Sequence, residues 1–440
     1  MSTRYFVLPL LIVGLYGVGF GQNHSPNSQA IFDAVQKGDL QKVLAFLDKG
    51  IDINIRGEYG YTPLIAASRY NRIEIAQTLC DGGADVSAAA EYSYQAEEWR
   101  GYTPLLWAAQ NCNVDMASLL IAKGADVEQK GSGGDLPLTV AARAGCLPLA
   151  KMFVSKGASV EAVDEQSGDT ALIEAVSGGY LDLAEYLIEK GADVRRRSQG
   201  RMPLLVLAAF RRDYAAVKYF HEKGFAINES DNRGRTAMHF AANDSVESRY
   251  VLTYLIEHGG NVCIKDSSGI SPLMFAAGDG SNLAAGVLIA KGAAVNDVDS
   301  NGNTPVHHVC QWVGAPERDR DVTKREATLR LLIDKGAKIN TQNRNGLTPL
   351  MNAARYQVPP SVIKILLESG ALINPQDGNG GTALMYAAAG NRTDVIRMLV
   401  TKGADLNMRN SRGQTALVVA KKRAATAQAY ELLKSLGAKE

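Results

Sequence analysis

The sequence predicts an all-α solenoid: about twelve stacked helix-turn-helix units joined by short hairpin-like turns. Three observations carry that expectation. First, a Thr-Pro-Leu-like station recurs at Thr62, Thr103, Leu136, Thr170, Met202, Thr236, Ser271, Thr304, Thr348, Thr382 and Thr415. Eight of the ten intervals lie within two residues of 33, and the other two, of 41 and 44 residues, mark insertions in an unbroken register. Second, each station opens the same order of segments, Ala-rich, then Leu-rich, then Gly-Ala, as in "RGYTPLLWAAQNCNVDMASLLIAKGADV" from Arg100 to Val127. Third, 46% hydrophobic and 21% charged residues describe a chain that folds, not a disordered one.

Taken in order, the chain opens with Arg4 and the apolar run Tyr5 to Phe20, followed by "GQNHSPNSQ". One positive charge, an apolar stretch short of the ~20 residues a spanning helix wants, and small residues before a polar segment read as a secretory signal over residues 1–21. Gly19 and Gly21 would stand at the small-residue cleavage positions; an uncleaved anchor is the alternative. A polar linker over 22–29 follows, then a half-matching unit over 30–57 that caps the array. The repeats fill the rest to residue 440, with insertions near 88–100 and 313–325 and a polar C-terminal cap near 415–440.

Each unit has a physical reading. The threonine side chain caps free backbone N–H groups, and proline at the first helical position gives up an N–H that would have no partner there. Ala-Ala pairs such as Ala108-Ala109 and Ala353-Ala354 let neighbouring helices approach closely. A second segment carries apolar residues at helical spacing, as in Leu181, Leu183, Ala184, Leu187 and Ile188. Its "KGAD" or "SGAL" ending supplies the left-handed glycine stop. A lone unit cannot bury its own apolar face, so units must stack. Leu136 and Met202 stand where the capping threonine should be, and "MPLLVLAAF" carries one extra residue, so looser packing is expected in those two units.

Repeated so often at a period near 33, this pattern resembles the ankyrin-repeat family over residues 30 to about 437. His239 and His307 fall at the family's histidine position, where a turn-bracing role is expected. The resemblance implies a protein-binding surface made of turn tips and of first helices lining a concave side.

Catalytic motifs are missing from the sequence: it has no phosphate-binding Gly-Lys-Ser/Thr loop, no His-Glu-x-x-His and no Gly-x-Ser-x-Gly. The expectation is therefore a chain without enzymatic activity, cofactor or metal. Without residues 1–21 the chain has 46 basic and 46 acidic residues. That balance argues against nucleic acid or an anionic membrane as the main target. The arginines of "RRRSQGR" (Arg195 to Arg201), with Arg211 and Arg212, read as a solvated hairpin tip, with a basic patch as the alternative. Five cysteines are too few for a disulfide scaffold; Cys112 and Cys146 sit at matching places in neighbouring units, where a bridge is one outcome.

The early units are rich in Trp, Tyr and Arg, the residue types of binding hot spots. Mapped onto the expected binding positions, the candidates are Tyr59, Tyr61, Arg69, Tyr70, Trp99, Arg100, Tyr102, Trp107, Gln110 and Asn111, then Trp312, Arg355 and Tyr356. Tyr59, Tyr61, Trp99 and Tyr102 flank a turn glycine and are expected to be exposed; Trp107 is open between surface and core. The functional expectation is a monomeric, exported, non-catalytic scaffold for one or more partner proteins, periplasmic if the cell is Gram-negative. A secreted effector that binds a host protein is the alternative.

Overall fold

The computed structural model describes residues 26–57, 60–90, 101–131, 134–165, 167–198, 202–311, 322–356, 358–422 and 427–440. Among them run 24 helices, from Pro26–Lys37 to Ala427–Ser435, with no strand beyond two isolated bridges, Val163 to Thr170 and Ser230 to Thr236. Two helices per repeat make twelve repeats, the number the period predicts. The chain gathers into two compact units, one up to Pro137 and one from Leu138, each an all-α stack of repeats. The expected signal over residues 1–21 lies outside the described residues, as do most of the two insertions. The first helix begins at Pro26, inside the segment read as a linker.

Each first helix begins where a hydroxyl can cap it. Thr62 is extended (φ −90°, ψ 162°), and its hydroxyl accepts the N–H of Ile65 at 3.3 Å. Thr103, Thr170, Ser271, Thr382 and Thr415 do the same for the residue three positions on. In the Met202 unit the frame slips by one, so Pro203 takes the cap position and offers no side-chain hydrogen bond. The looser packing expected there is not found. Leu204 through Ala209 are six consecutive buried residues, and burial replaces the missing cap. Leu136, in the other unit of concern, is buried as well.

The chain reverses between the two helices of a repeat through one left-handed residue. Glycine fills that place at Gly145, Gly179 and Gly280, but Asn71, Cys112, Arg212 and Asn391 hold it with φ of 53–64°. First helices then pack on first helices and second on second. The Ala-Ala pairs sit at these contacts, Ala353 and Ala354 both at 0% exposure. Large side chains there would hold the axes beyond the ~8–10 Å of close helix packing.

In the second unit the hairpin tips form a ladder of their own. Asp231, Asp266, Asp299, Asn343, Asp377 and Asn410 share one station. The Oδ1 atom of Asp231 accepts the N–H groups of Arg233 and Arg235 at 2.8 and 2.9 Å. The other five repeat this two-and-four pattern. Neighbouring tips are joined by backbone bonds, Arg344 N–H to Asn301 O, Gly378 N–H to Asn345 O and Ser411 N–H to Asn379 O, each 2.9 Å. The tips come so close that a Cβ on Gly346 (φ 77°) would lie 2.7 Å from the Gly378 nitrogen.

A second ladder ties successive repeats behind the second helices. Asn340 donates to the Gly370 carbonyl at 3.1 Å and accepts the Leu372 N–H at 2.8 Å. Asn228, Asn296 and Asn374 do the same for their next repeats. Buried guanidiniums close two further junctions, Arg392 on the carbonyls of Ala353 and Val358, and Arg325 on those of Val309 and Gly278. A cation on the free carbonyls of a helix C-terminus is favourable on both hydrogen-bonding and dipole grounds.

Candidate protein-binding face

His239 and His307 settle the role of the family histidine. His307 Nδ1 accepts the backbone N–H of Thr304 at 3.1 Å, and Nε2 lies 3.0 Å from the carbonyl of Leu347. His239 makes the same pair with Thr236 and Ile270. An Nδ1 that accepts from an amide carries no proton, so both rings are neutral. Burial pushes His307 down to about 4, against the opposing pull of its bond to Leu347. These are braces, not metal or catalytic groups.

The next residue along has a different fate. In first helices this station holds Trp107 in the first unit and Val140, Glu174, Phe240, Phe275, His308, Asn352 and Tyr386 in the second. Glu174, Phe240, Phe275, His308 and Tyr386 are half-buried, so they present one edge to solvent. Several are steadied by the second oxygen of a tip carboxylate. Asp164 takes Arg143, which also holds Glu174, at 2.9 and 2.8 Å. Asp231 takes Arg235 at 2.7 Å and Asp299 takes His308 at 3.1 Å. Asp377 accepts the hydroxyl of Tyr386. Burial opposes charge on Asp299, yet the bonds from His308, Asn303 and two backbone amides outweigh it and hold the carboxyl far below the usual range. Burial and the Asp377 bond together push the Tyr386 phenol up to about 12.

In the first unit the sequence candidates form a cluster around Arg69. Its guanidinium lies 4.9 Å from the Trp107 ring centre, 5.5 Å from Tyr61 and 5.6 Å from Tyr70. Tyr61 meets Trp107 edge-on at 6.1 Å, and Asn111 donates to the Arg69 carbonyl at 3.0 Å. Arg69, Tyr70 and Asn111 are exposed, and Tyr61 and Gln110 half-buried. One expectation needs revision and one open question is answered. Tyr102 is 1% exposed, because its ring turns under the helix and packs edge-on against Trp107 at 5.6 Å. Trp107 resolves to core, at 5% exposure. Tyr59, Trp99, Arg100 and Trp312 lie outside the described residues. Arg355 is exposed and stacks over Tyr356 and Tyr386 at 5.5 and 5.6 Å.

Sequence reasoning missed a pocket of the second unit. A pocket of about 420 Å³ is walled by Phe210, His239, Phe240, Met274 and Phe275, with Arg212 and His308 also lining it. The signal was available: Phe240 and Phe275 stand at one place, four residues after the cap, in successive units, and Phe210 ends the Ala-rich segment before them. The arginine run is partly paired, Arg197 with Glu229 at 2.5 Å and with the Ser230 carbonyl at 2.8 Å, in keeping with a solvated tip.

Among the described residues no group of three or more His, Cys, Asp or Glu could hold a metal ion. Nor is any described helix long and apolar enough to cross a membrane. Cys80, Cys263 and Cys310 are free thiols, whereas Cys112 and Cys146 are disulfide-bonded.

Comparison with known proteins agrees with this geometry. Residues 4–90, 31–131, 89–164, 129–198, 321–410 and 357–439 match the family described as ankyrin repeats (3 copies). Residues 204–243 match ankyrin repeats (many copies), and 233–267 a single ankyrin repeat. Among similar proteins is the E3 ubiquitin-protein ligase KEG of Arabidopsis thaliana, 37% identical over 91 residues, 20% of this chain and 6% of that protein. Mouse Rabankyrin-5 is 26% identical over 178 residues, 40% of this chain and 15% of its own. The putative ankyrin repeat protein YahD of Escherichia coli (strain K12) is 41% identical over 54 residues, 12% of this chain and 27% of its own. The matched stretches thus span only 6–27% of these relatives.

Proposed function

Because this chain belongs to the ankyrin-repeat family, we propose that it is a non-catalytic scaffold acting outside the cytoplasm, holding a partner protein on the face made by its first helices. One observation carries the reading: exposed or half-buried aromatic and cationic side chains recur on the first helices of each unit, led in the first unit by Arg69 with Tyr61 and Tyr70 beside the buried Trp107. Such groups are the usual anchors of protein interfaces, since they bury much area at little entropic cost. Two features support export. The first 21 residues have the pattern of a secretory signal, and the disulfide-bonded state of Cys112 and Cys146 suits an oxidising compartment.

The test is fractionation and capture in the cells that make the protein. The chain is expected in an extracytoplasmic fraction, cross-linked to a defined partner. Replacing the exposed side chains, Tyr61→Ala, Arg69→Ala and Tyr70→Ala together, should reduce recovery of that partner at least tenfold. A cytoplasmic location would overturn the export reading. Equal recovery from the triple variant would remove this cluster from the binding face.

A further inference from the structure

The pocket of the second unit has features that assign it a ligand chemistry, and this inference rests on the scaffold reading above. We propose that it takes an extended segment of a partner protein in which a bulky apolar side chain lies beside a carboxylate.

The apolar half of the argument is shape. The pocket encloses about 420 Å³ between the first helices Leu204–Phe210, Ala237–Ala241 and Pro272–Asp279, within the range of sites that accept peptide side chains. Phe210 and Phe240 meet edge to face at 5.4 Å, and Phe275 meets His239 at 5.3 Å. Phe210 stays 55% exposed. A phenylalanine so open, beside two half-buried rings, leaves apolar surface that an incoming aliphatic or aromatic side chain would cover.

The carboxylate half is charge. Arg212 lines the pocket and enters no ion pair or side-chain hydrogen bond among the described residues. The acids nearby are already engaged. Asp279 accepts from Asn243 and Ser281 and interacts with the guanidinium of Arg325. Asp299 is bonded to His308. Of the charged residues that line the pocket, Asp279 thus has partners and Arg212 has no ion pair or side-chain hydrogen bond among the described residues, so an acidic group is the complement of Arg212.

The backbone points the same way. Arg212 has φ 64°, in the inter-helix place that glycine fills at Gly145, Gly179 and Gly280, asparagine at Asn71 and Asn391, and cysteine at Cys112. A long side chain is disfavoured there, and among the described residues Arg212 makes no ion pair or side-chain hydrogen bond that would offset it. The strain is explained if the guanidinium serves a ligand.

That same strain makes the test selective. Arg212→Gly removes the charge while suiting the backbone, so it should fold as well as the parent or better. Three fluorescein-labelled nonapeptides with identical Gly-Ser ends would be titrated against the chain from residue 22, read by fluorescence anisotropy. Their centres would be Glu-Phe-Glu, Lys-Phe-Lys and Glu-Ser-Glu. The expected result is at least tenfold tighter binding of Glu-Phe-Glu than of either other peptide. Arg212→Gly should lose that preference for acid with no fall in Tm, and Phe240→Ala should lose the preference for Phe over Ser. Equal binding of the acidic and basic peptides, an Arg212→Gly variant that binds like the parent, or no binding of any peptide would each overturn the proposal. The scaffold reading would then stand or fall separately, on capture of a partner through Tyr61, Arg69 and Tyr70.

Discussion

The Nε2 atom of His307 lies 3.0 Å from the carbonyl oxygen of Leu347, forty residues on. With Thr304 N–H on its other nitrogen, one buried neutral ring ties the start of its own first helix to the tip of the next repeat. The stack is held by many such links between neighbours, and they make it specifically sensitive to conditions that break them.

Acid should be one of those conditions. The unfolded ring takes a proton near its ordinary value of about 6.5, whereas folded His307 resists until about 4. The unfolded chain thus binds more protons across that interval. Stability from this group is complete above pH 7, falls as pH drops from 6.5 to 4, and falls no further below. The loss approaches ~3 kcal/mol at 1.36 kcal/mol per unit. Burial lowers His239 in the same direction. Urea midpoints measured at pH 7.5, 6 and 5 should decline in order, and His307→Leu should be less stable at pH 7.5 but flatter across the series.

The tip ladder predicts a contrast between two glycines of nearly equal φ. A Cβ on Gly346 would stand 2.7 Å from the Gly378 nitrogen, while one on Gly413 meets nothing within 4 Å. Gly413→Ala should cost about 1 kcal/mol for the left-handed backbone alone, and Gly346→Ala ~2–3 kcal/mol or more, because the tips must also part. Denaturant unfolding of both variants checks this; equal costs would show that the tips are not packed as described.

Asn352 predicts a stabilising substitution. It is fully buried, and among the described residues neither its side-chain nitrogen nor its oxygen has a hydrogen-bond partner. Asn352→Leu keeps the branched shape at a somewhat larger volume and removes two unpaired polar atoms, so stability should rise by ~1–2 kcal/mol. A fall in Tm would mean that the amide is satisfied by a bound molecule.

The cysteines should separate by rate. Cys263 is exposed, Cys80 intermediate and Cys310 buried, and burial pushes the Cys310 thiol up to about 12. Iodoacetamide applied to the folded protein should label Cys263 first, Cys80 slowly and Cys310 only on unfolding. Cys112 and Cys146 should react only after reduction. Mass spectrometry of the alkylated peptides reads all five.

Much of this fold is legible in the amino-acid sequence because each device is local. A threonine three residues before an amide caps it, and a glycine after a Leu-rich helix stops it, whatever surrounds them. The face is less legible because burial there depends on neighbouring repeats. Tyr102 beside Gly101 reads as an exposed tip residue, yet its ring folds under onto Trp107. Phe210 and Phe240 lie in Ala-rich segments of neighbouring units, and only the packing of the repeats makes them walls of an open pocket. His307 and His308 are adjacent and opposite in fate, one a buried brace and the other on the face. Only the register of the repeats, followed from Trp107 to Tyr386, distinguishes the two kinds of position.

The central claim is that the first-helix face holds the partner. A photo-reactive phenylalanine analogue placed at Tyr70 beside a first helix of the first unit or at Phe210 on one of the second, and at Tyr250 or Leu283 on second helices, tests it directly in living cells. All four side chains are exposed, so accessibility does not bias the comparison. The account predicts a discrete adduct to one partner from Tyr70, Phe210 or both, and none from Tyr250 or Leu283. Adducts from the second-helix positions alone would contradict it.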